Sequence, residues 1–564
     1  MAQLSEHELI RREKLSKLIA LGVNPYPAEL FSVSHNSEQI KSDFKKGEKV
    51  TIAGRLMRKK VQGNAAFAEL QDSYGRIQLY FNRDEICVGD DKSKYNDIFK
   101  KLIDLGDFLG VEGELFTTKV GEKTILIKNF TLLCKALKPL PLPKTDSEGN
   151  TYDEFIDSET RYRQRYADLA VNPDVKKVFE KRSKLFNAMR NFLTQAGYIE
   201  VETPILQPIP GGASARPFVT HHNTLDIDMY MRIACELYLK KLIVGGFDGV
   251  FEFAKTFRNE GMDRTHNPEF TMMEIYVAYK DYIWMMEFCE KLIEFCAIKV
   301  NGTTKSSFGK NIIDFKAPYA RVTITDSIKM HTGFDISKKS EDEIRKAAES
   351  MGILTDISMS KGKLIDEIFS EKCESKYIQP TYITDYPKEM SPLTKEHRSN
   401  PNLTERFELI VCGKELANAY SELNDPIDQR KRFENQLELS ARGDDEAAKY
   451  IDEDFLRALE YGMPPTAGMG IGMDRLVMFL TDNLSIQEVL FFPQMKPEKQ
   501  DLDLTESEKI IYSILRNKKI MNLIELKSQS GLSNKKWDKG IKGLTKNRLA
   551  KVEKIDGELN VSLL

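Results

Sequence analysis

The spacing of apolar residues changes several times along the chain, and each change indicates a different kind of structure. Residues 4–21 carry apolar side chains at helical intervals and stop at Gly22, which predicts an amphipathic helix. From about Lys49 to Leu137 the interval falls to two, in five short runs with glycine turns and one helical insert near 93–105. Such a set of strands predicts a small closed barrel of the OB type.

The pattern after the barrel is mixed. A proline-rich stretch that begins at Lys138 indicates a stiff linker. Residues 157–196 have a strongly helical pattern, and 198–204 follows as a strand. Strands and helices then alternate without regular βαβ spacing, which favours an antiparallel α+β core over a doubly wound sheet.

The end of the chain has a third pattern. The segments 507–517, 521–529 and 533–548 are helical in spacing, and a two-stranded wing is expected around Asp556 and Gly557. This order predicts a winged-helix-like module. Its basic residues lie on or near the third helix: Lys535, Lys536, Lys539, Lys542, Lys546 and Arg548.

These patterns together predict an α+β protein of three domains. We expect a helix and OB barrel over 1–143, an antiparallel-sheet domain over 144–500, and a small basic winged-helix-like module over 501–564. The length of 564 residues suits two to four domains.

Charge is distributed unevenly along the chain. The whole chain has 83 basic and 86 acidic residues, a net charge of −3. The segment from Thr505 to Leu564 has 13 basic and 7 acidic residues, a net charge of +6, which leaves −9 for the rest. A basic end on an acidic body indicates either a module with an anionic partner or an ordinary solvated surface.

Composition excludes several classes of protein. The seven cysteines form no CxxC pair, so a disulfide scaffold or a zinc ribbon is not expected. No apolar run approaches the roughly 20 residues of a membrane helix, and the charged N-terminus does not fit a signal peptide. We expect a cytoplasmic protein.

Common nucleotide signatures are absent from the sequence. It has no GxxxxGK[ST] loop, no GxGxxG between a strand and a helix, and no HExxH. A nucleotide site would therefore hold phosphates through side chains instead of a glycine cradle.

A hairpin predicted over 250–276 carries the first candidate chemistry. It would bring Arg258, Glu260, His266, Phe270 and Glu274 around one groove. The planar fork of arginine suits a phosphate, and phenylalanine stacks on a purine. A charged surface hairpin is the other interpretation.

Two later segments carry further candidates. The glycine run 468–472 precedes a helix near Asp474 with Arg475 in its first turn; this is either an anion site or a glycine-packed core helix. In 414–425, Glu415 and Glu422 are seven residues apart and are either Mg²⁺ ligands or surface acids.

The three segments occur in this order behind an OB-like domain, and the chain thereby resembles the bacterial-type lysyl-tRNA synthetases of class II. The resemblance covers roughly residues 1–498 and is specific at Phe-Arg-Asn-Glu-Gly (257–261), at 264–274 and at Tyr-Ser-Glu-Leu-Asn-Asp (420–425). It implies a homodimer that joins L-lysine to tRNA(Lys) with ATP and Mg²⁺. The segment ending at Pro204 resembles the dimer-interface motif.

The resemblance also implies roles for individual residues. Arg258 and Arg475 would be catalytic. The ATP site would contain Arg258, Glu260, His266, Phe270, Glu415 and Arg475, and Mg²⁺ would bind Glu415 and Glu422. The lysine pocket would contain Gly212, Glu236, Glu274, Tyr276, Asn418, Tyr420 and Glu422.

In the barrel, the resemblance assigns Phe67 and Gln78 to the anticodon, with Arg55 and Glu122 nearby; from the pattern alone Phe67 is equally well a core residue. Two departures stand out. Tyr420 replaces the usual phenylalanine, and about 65 residues follow the point where ordinary members end. An aspartyl- or asparaginyl-type synthetase and an inactive RNA-binding regulator remain the alternative functions.

Overall fold

The structure is a computed structural model that describes residues 4–145, 151–152, 154–213, 215–357, 359–441, 450–497, 504–547, 549–555 and 557–563. The chain divides into two compact units, Met1–Gln494 and Met495–Leu564. In the described part of the chain, no helix combines the length and apolar composition needed to cross a membrane.

The expected OB-type barrel is present. Its strands are β1 Lys49–Gln62, β2 Ala65–Gln71, β3 Arg76–Asn82, β4 Phe108–Thr117 and β5 Lys123–Cys134. They close in the order β1-β2-β3-β5-β4, with β3 parallel to β5 and the other pairs antiparallel. The helical insert is the short helix α3 Arg83–Ile86 with a π-helix at Lys94–Leu102.

Two helices, α1 Glu6–Ala20 and α2 Ser37–Ser42, precede the barrel. The expected apolar side of α1 is only partly buried: Leu18 is inaccessible, whereas Ile19 is 58% exposed. Arg11 is buried instead, and its guanidinium donates hydrogen bonds to the carbonyls of Ala136 and Leu105, each at 2.8 Å. Polar contacts thus attach this helix to the barrel as much as apolar packing does.

The region after the barrel is an α+β domain, as expected. Its helices are α4 Ser158–Arg163, α5 Arg165–Val171, α6 Pro173–Gln195, α7 Glu236–Val244, α8 Tyr282–Asn301, α9 Ile324–Thr332, α10 Glu341–Ser350, α11 Lys361–Lys372, α12 Pro426–Ala441, α13 Glu453–Glu460, α14 Met473–Thr481 and α15 Ile486–Val489. Its strands are β6 Lys144–Thr145, β7 Thr151–Tyr152, β8 Ile199–Glu200, β9 Leu206–Gln207, β10 Val219–His222, β11 Ile227–Met231, β12 Gly249–Phe257, β13 Glu269–Ala278, β14 Lys305–Phe308, β15 Asn311–Asp314, β16 Ala320–Thr323, β17 Thr381–Thr384, β18 Glu396–His397, β19 Asn400–Thr404, β20 Arg406–Ile410, β21 Glu415–Ser421 and β22 Thr466–Gly472.

Eight of these strands form one sheet in the order β16-β17-β20-β21-β22-β13-β12-β8. The two edge pairs are parallel and the inner pairs are antiparallel. The strand expected over 198–204 is reduced to the two residues of β8, which lie beside Val250 and Phe251 of β12.

Period-two alternation along the inner strands separates the core from a cavity. Met273, Ile275 and Val277 of β13 belong to the main apolar cluster, which includes buried side chains of α6, α8 and α14. The alternate residues of the same strand, Met272, Glu274 and Tyr276, line the cavity. The strand period therefore places polar side chains over a firmly packed apolar layer.

The second unit has the expected winged-helix order. Its elements are α16 Glu506–Lys518, β23 Ile520–Asn522, α17 Leu523–Ser530, α18 Asn534–Lys546, β24 Ala550–Ile555 and β25 Glu558–Leu563. The strands form a sheet in the order β23-β25-β24. Ile511, Leu515, Leu526, Trp537 and Leu544 are among the side chains of its own core. Arg548 and Asp556, which the sequence singled out, lie outside the described residues.

Candidate active site

A cavity of about 1010 Å³ opens over the inner strands of the sheet. Eight of the residues predicted from the sequence line it: Gly212, Glu236, Arg258, Glu274, Tyr276, Glu415, Asn418 and Tyr420. Its floor depends on Gly468, where a Cβ would lie 2.0 Å from Glu422 Oε1 and 2.4 Å from the Tyr276 ring. A side chain at this position would fill the space between the carboxylates.

One end of the cavity is acidic and deeply buried. Glu236, Glu274 and Glu422 are all less than a tenth exposed. The Tyr420 hydroxyl donates to Glu236 Oε2 at 2.7 Å, and the Tyr276 hydroxyl donates to Glu274 Oε2 at 3.3 Å. These residues converge from α7, β13 and β21, so the tertiary fold and not the local sequence brings the carboxylates together.

A lysine that the sequence reasoning missed lies among these acids. Lys240 is fully buried one turn after Glu236 in α7, and its Nζ is 2.5 Å from Glu236 Oε1. It also forms an ion pair with Glu422, although neither Glu422 oxygen accepts a hydrogen bond of normal geometry from the residues that the structure describes. The rings of Tyr420 and Phe455 flank the ammonium at 5.5 and 5.8 Å.

The electrostatics of this end follow from burial and from like charge. Burial lowers the pKa of Lys240, but Glu236 and Glu422 overcome that effect and the net shift is upward. Burial, with the nearby charge of Glu236, raises the pKa of Glu274 to about 7. No cationic side chain of the described residues pairs with Glu274, so this carboxyl is available to a cationic ligand.

The other end of the cavity carries the predicted phosphate-binding residues. Arg258 follows the last residue of β12, and its guanidinium lies over the Phe270 ring with 5.2 Å to the centroid. Its Nε is buried and has no hydrogen-bond partner among the described residues. An unsatisfied buried donor at the cavity wall is costly without a ligand, so its position suits a bound anion.

His266 and Arg475 extend this end as a hydrogen-bonded chain. Arg475 Nη2 lies 3.1 Å from His266 Nε2, and His266 Nδ1 lies 2.8 Å from Asp263 Oδ2. Because arginine only donates, His266 accepts at Nε2 and carries its proton at Nδ1. Arg475 also donates to the backbone carbonyl of Glu415 at 2.5 Å. None of His266, Arg475 and Glu260 is among the residues that line the cavity, and Glu260 lies exposed on the intervening loop.

The pairing of Glu415 with Glu422 on one Mg²⁺ is wrong. Glu415 is the first residue of β21 and Glu422 follows its last residue, and seven residues of extended chain span about 20 Å. Two ligands of one Mg²⁺ at 2.0–2.1 Å lie only about 4 Å apart. Glu422 is moreover enclosed with Lys240, so it belongs to the acidic end of the cavity.

A different carboxylate, Glu408, accompanies Glu415. Glu408 lies on the neighbouring strand β20 and lines the cavity. It accepts hydrogen bonds from Arg406 and, at 3.4 Å, from Asn418 Nδ2. Burial together with the charges of Glu415 and Asp366 raises its pKa, although Arg406 opposes the shift. Burial and Glu415 likewise raise the pKa of Glu374.

This group of acids fits a divalent cation that also binds a substrate. Like-charged carboxyls whose pKa values rise through mutual repulsion are stabilised by a cation between them. No cluster of three or more potential ligands by itself suits a metal among the residues described. Mg²⁺ commonly takes only one or two protein carboxylates and completes its shell with phosphates and waters.

The barrel presents an aromatic surface beside the predicted anticodon residues. Phe67 is half-buried and packs on Tyr80 with 4.9 Å between ring centroids, and Tyr80 contacts Phe116 at 5.9 Å. Gln78 accepts a hydrogen bond from the Thr124 hydroxyl at 2.7 Å. Phe67 is therefore not a core residue, and Tyr80 and Phe116 extend the surface that it forms.

Of the other two predicted barrel residues, Glu122 lies beside this surface, because the Thr124 hydroxyl that donates to Gln78 also lies 3.2 Å from the Glu122 carbonyl. Glu122 is exposed in the turn before β5. Arg55 donates to the Gly106 carbonyl at 3.1 Å and lies over the Phe108 ring at 4.3 Å, so the barrel itself already uses its guanidinium.

Signals for the missed residues were present in the sequence. Glu236 and Lys240 are four apart in a largely apolar helix, the spacing of a helical ion pair. Arg406 and Glu408 alternate with Phe407 and Leu409, which puts two charges on one face of a strand. Neither signal reveals which carboxylates of other strands lie opposite.

Comparisons with known proteins give similarities over both regions of the larger unit. Residues 157–496 match the family described as tRNA synthetases class II (D, K and N), and residues 50–133 match OB-fold nucleic acid binding domains. The chain is 68% identical over 563 residues to the lysine–tRNA ligase of Christiangramia forsetii, a match that covers 100% of this chain and 99% of the relative.

Two further relatives with the same name differ in coverage. The Porphyromonas gingivalis protein is 62% identical over 502 residues, covering 88% of this chain and 86% of the relative. The Azobacteroides pseudotrichonymphae protein is 58% identical over 501 residues, covering 88% of this chain and 100% of the relative. The last relative therefore has no counterpart for part of this chain.

The stabilising role of the buried Lys240 ammonium can be tested by removing it. Lys240→Met leaves Glu236 and Glu422 buried without their counter-charge, and we expect a loss of about 3–5 kcal/mol in the free energy of unfolding. Chemical denaturation of the variant and the wild-type protein measures this loss.

The matched control is Lys241→Met on the same helix. Lys241 pairs at 2.8 Å with Asp454, whose side chain is 62% exposed, so we expect a change of about 0–1 kcal/mol. Equal losses for the two variants would contradict the role given to Lys240.

Proposed function

The chain belongs to the class II tRNA synthetases of the D, K and N group, and from that premise we propose that it is a lysine–tRNA ligase. It joins L-lysine and ATP to lysyl-adenylate with release of pyrophosphate, and then transfers the lysyl group to tRNA(Lys) with release of AMP. The observation that carries this proposal is a buried acidic pocket that shares one cavity with Arg258, whose buried Nε has no hydrogen-bond partner among the described residues.

The charge of the pocket supports lysine as the amino acid. Three carboxyl groups and one resident ammonium meet in the pocket, and Glu274 has no cationic partner among the described residues. We propose that Glu274 faces an ammonium group of the substrate, with Gly212, Tyr276, Asn418 and Tyr420 completing the pocket beside Glu236 and Glu422. An aspartate side chain would meet like charge, which costs several kcal/mol.

Arg258 and Arg475 are the proposed catalytic residues. The substrate carboxylate attacks the α-phosphorus of ATP while the bond to pyrophosphate breaks, and negative charge spreads over the phosphoryl oxygens. Arg258 donates to the α-phosphate and Arg475 to the γ-phosphate, while the His266 chain orients Arg475. The Phe270 ring supports the adenine. The work is positioning and electrostatic stabilisation, without a covalent enzyme intermediate.

The proposal assigns Mg²⁺ to the acids at the phosphate end. Glu415 and Glu408 would hold it, and the ion would neutralise phosphate charge when ATP is bound. Glu260, on its exposed loop, would reach the nucleotide only through rearrangement of that loop, so its assignment depends on the resemblance alone.

Recognition of tRNA is proposed for the barrel. Phe67 and Tyr80 offer stacking surfaces to unpaired bases, and Gln78 offers an amide for their edges. Arg55 and Glu122 stay assigned to the anticodon by resemblance. Stacking on aromatic side chains is worth about 1–3 kcal/mol per base, enough to hold an anticodon loop.

We also propose a cytoplasmic homodimer with the three domains given above. Exposed apolar side chains around β8 to β10 support the dimer: Ile199 is 49%, Ile205 44%, Leu206 48% and Val219 60% exposed. Such a group on a sheet edge is typical of a surface covered by a partner.

Amino-acid-dependent ATP–pyrophosphate exchange tests the function. We expect exchange with lysine, none with aspartate or asparagine, and a kcat/KM for ornithine that is about 10- to 200-fold lower, since one methylene is worth about 1–3 kcal/mol. Arg258→Ala should reduce lysine-dependent exchange by at least about 100-fold. Exchange with aspartate in place of lysine would overturn the specificity, and no exchange with any amino acid would favour an RNA-binding regulator.

The pH dependence of lysine use tests Glu274. Because its pKa is raised to about 7, its carboxyl is neutral below that pH and binds an ammonium weakly. The kcat/KM for lysine should rise about tenfold per pH unit below 7 and level off above it. Glu274→Gln should flatten this profile. A wild-type profile that Glu274→Gln leaves unchanged would refute the role.

Two matched variants separate the metal site from the amino-acid pocket. Glu408→Gln should raise the Mg²⁺ concentration for half-maximal exchange by about 10- to 100-fold, a change of the size seen when support of a metal ligand is lost. Glu422→Gln should raise the KM for lysine and leave the Mg²⁺ dependence unchanged. The reverse pattern would restore Glu422 as the metal ligand.

A further inference from the structure

The C-terminal unit exposes a helix face of one charge. Trp537, Gly540 and Leu544 of α18 are turned inward. A Cβ on Gly540 would lie 2.8 Å from Ile511 Cδ1, and one on Gly543 would lie 1.7 Å from Glu508 Oε1. The two glycines therefore let α18 cross α16 closely, and this fixes which face of α18 meets solvent.

Five lysines occupy the solvent face of α18. These residues are Lys535, Lys536, Lys539, Lys542 and Lys546, all exposed. Asp538 is the one acidic residue of the helix. No carboxylate lies within ion-pair distance of any of the five in the described parts of the chain, whereas Lys509, Lys518 and Lys551 of the same unit have acidic neighbours at 2.9, 3.6 and 2.6 Å.

Positive charge of this density, without neighbouring carboxylates, indicates that the face binds an anionic polymer. Five like charges on about three turns of helix repel one another unless counterions or a ligand stay close. Lysine presents a point charge, without the flat donor pair that reads a base edge. The face thus suits phosphate groups along a nucleic-acid backbone and carries little sequence information.

We propose that this face binds the phosphate backbone of the tRNA substrate. The proposal rests on the proposed function for the identity of the nucleic acid. Binding without base-specific contacts is adequate here, because another part of the chain recognises the anticodon.

The test compares two full-length variants that lose the same charge in the same unit. The first changes Lys535, Lys539, Lys542 and Lys546 to Gln. The second, the control, changes Lys509, Lys518, Lys551 and Lys554 to Gln. The measured quantities are the Kd for a tRNA(Lys) transcript from 50 to 200 mM salt, the Kd for a 20-base-pair DNA duplex, and lysine-dependent pyrophosphate exchange.

We expect the first variant to bind tRNA more weakly at low salt. The slope of log K against log salt should become less negative by about 3. The ratio of its Kd to the wild-type Kd should therefore fall by about 60-fold between 50 and 200 mM salt. The control should stay near wild type, exchange should be unchanged in both, and Lys→Arg at the first four positions should preserve binding.

Three results would overturn the proposal. These are equal losses in the two variants, no loss in the first, or a loss confined to the DNA duplex, which would make the unit a DNA-binding module. If the wild-type protein shows no lysine-dependent exchange, that result would instead contradict the proposed function, so the two failures are distinguishable.

Discussion

The pocket depends on the ion pairs of Lys240. Three carboxylates buried in one small space repel one another and would take up protons in place of charge. Lys240 forms ion pairs with Glu236 and Glu422, yet burial still raises the pKa of Glu422 well above its usual value. Glu274, which has no such partner, has its pKa raised to about 7 by burial and the nearby charge of Glu236. Because Lys240 pairs with Glu236 and Glu422, Glu274 is the carboxyl that is left for a ligand.

The burial of these ion pairs also explains which residues form the floor of the cavity. Bringing α7 over the sheet requires that β21, β22 and β13 present small or polar residues on one face while the other face stays apolar. Gly468 and Gly470 of β22 line the cavity and Ala467 and Ile471 lie in the core. A slip of one residue in the register would exchange these faces, so the packing of the core and the chemistry of the cavity are fixed together.

Local patterns predicted the elements well because the period of apolar residues decides each one. The barrel strands, the hairpin around Arg258 and the order of the C-terminal unit all follow from spacing and turn residues within short windows. The buried face of α1 was predicted less well, because Arg11 occupies an interior position where hydropathy predicts a leucine.

Relations between distant segments were harder to predict. Arg258, Phe270, His266 and Arg475 were found from motifs, but Glu408 and Lys240 become visible only when β20 lies beside β21 and α7 lies over the sheet. The Glu415–Glu422 pairing failed because seven residues were treated as a separation in sequence, without the length that an extended strand gives them. Knowing that Glu415–Ser421 is a strand would have separated the two acids.

Charge unites the parts of the chain. The acidic body of −9 and the basic end of +6 serve opposite ligand chemistries, since a pocket for an ammonium must be negative and a surface for phosphates must be positive. A single surface cannot do both at short range, because the Debye length of about 8–10 Å lets neighbouring fields overlap. Carboxylates buried in a cavity form the negative site, and lysines exposed on a helix of the other unit form the positive surface. The small net charge of the chain is therefore the sum of two specialised regions and describes neither.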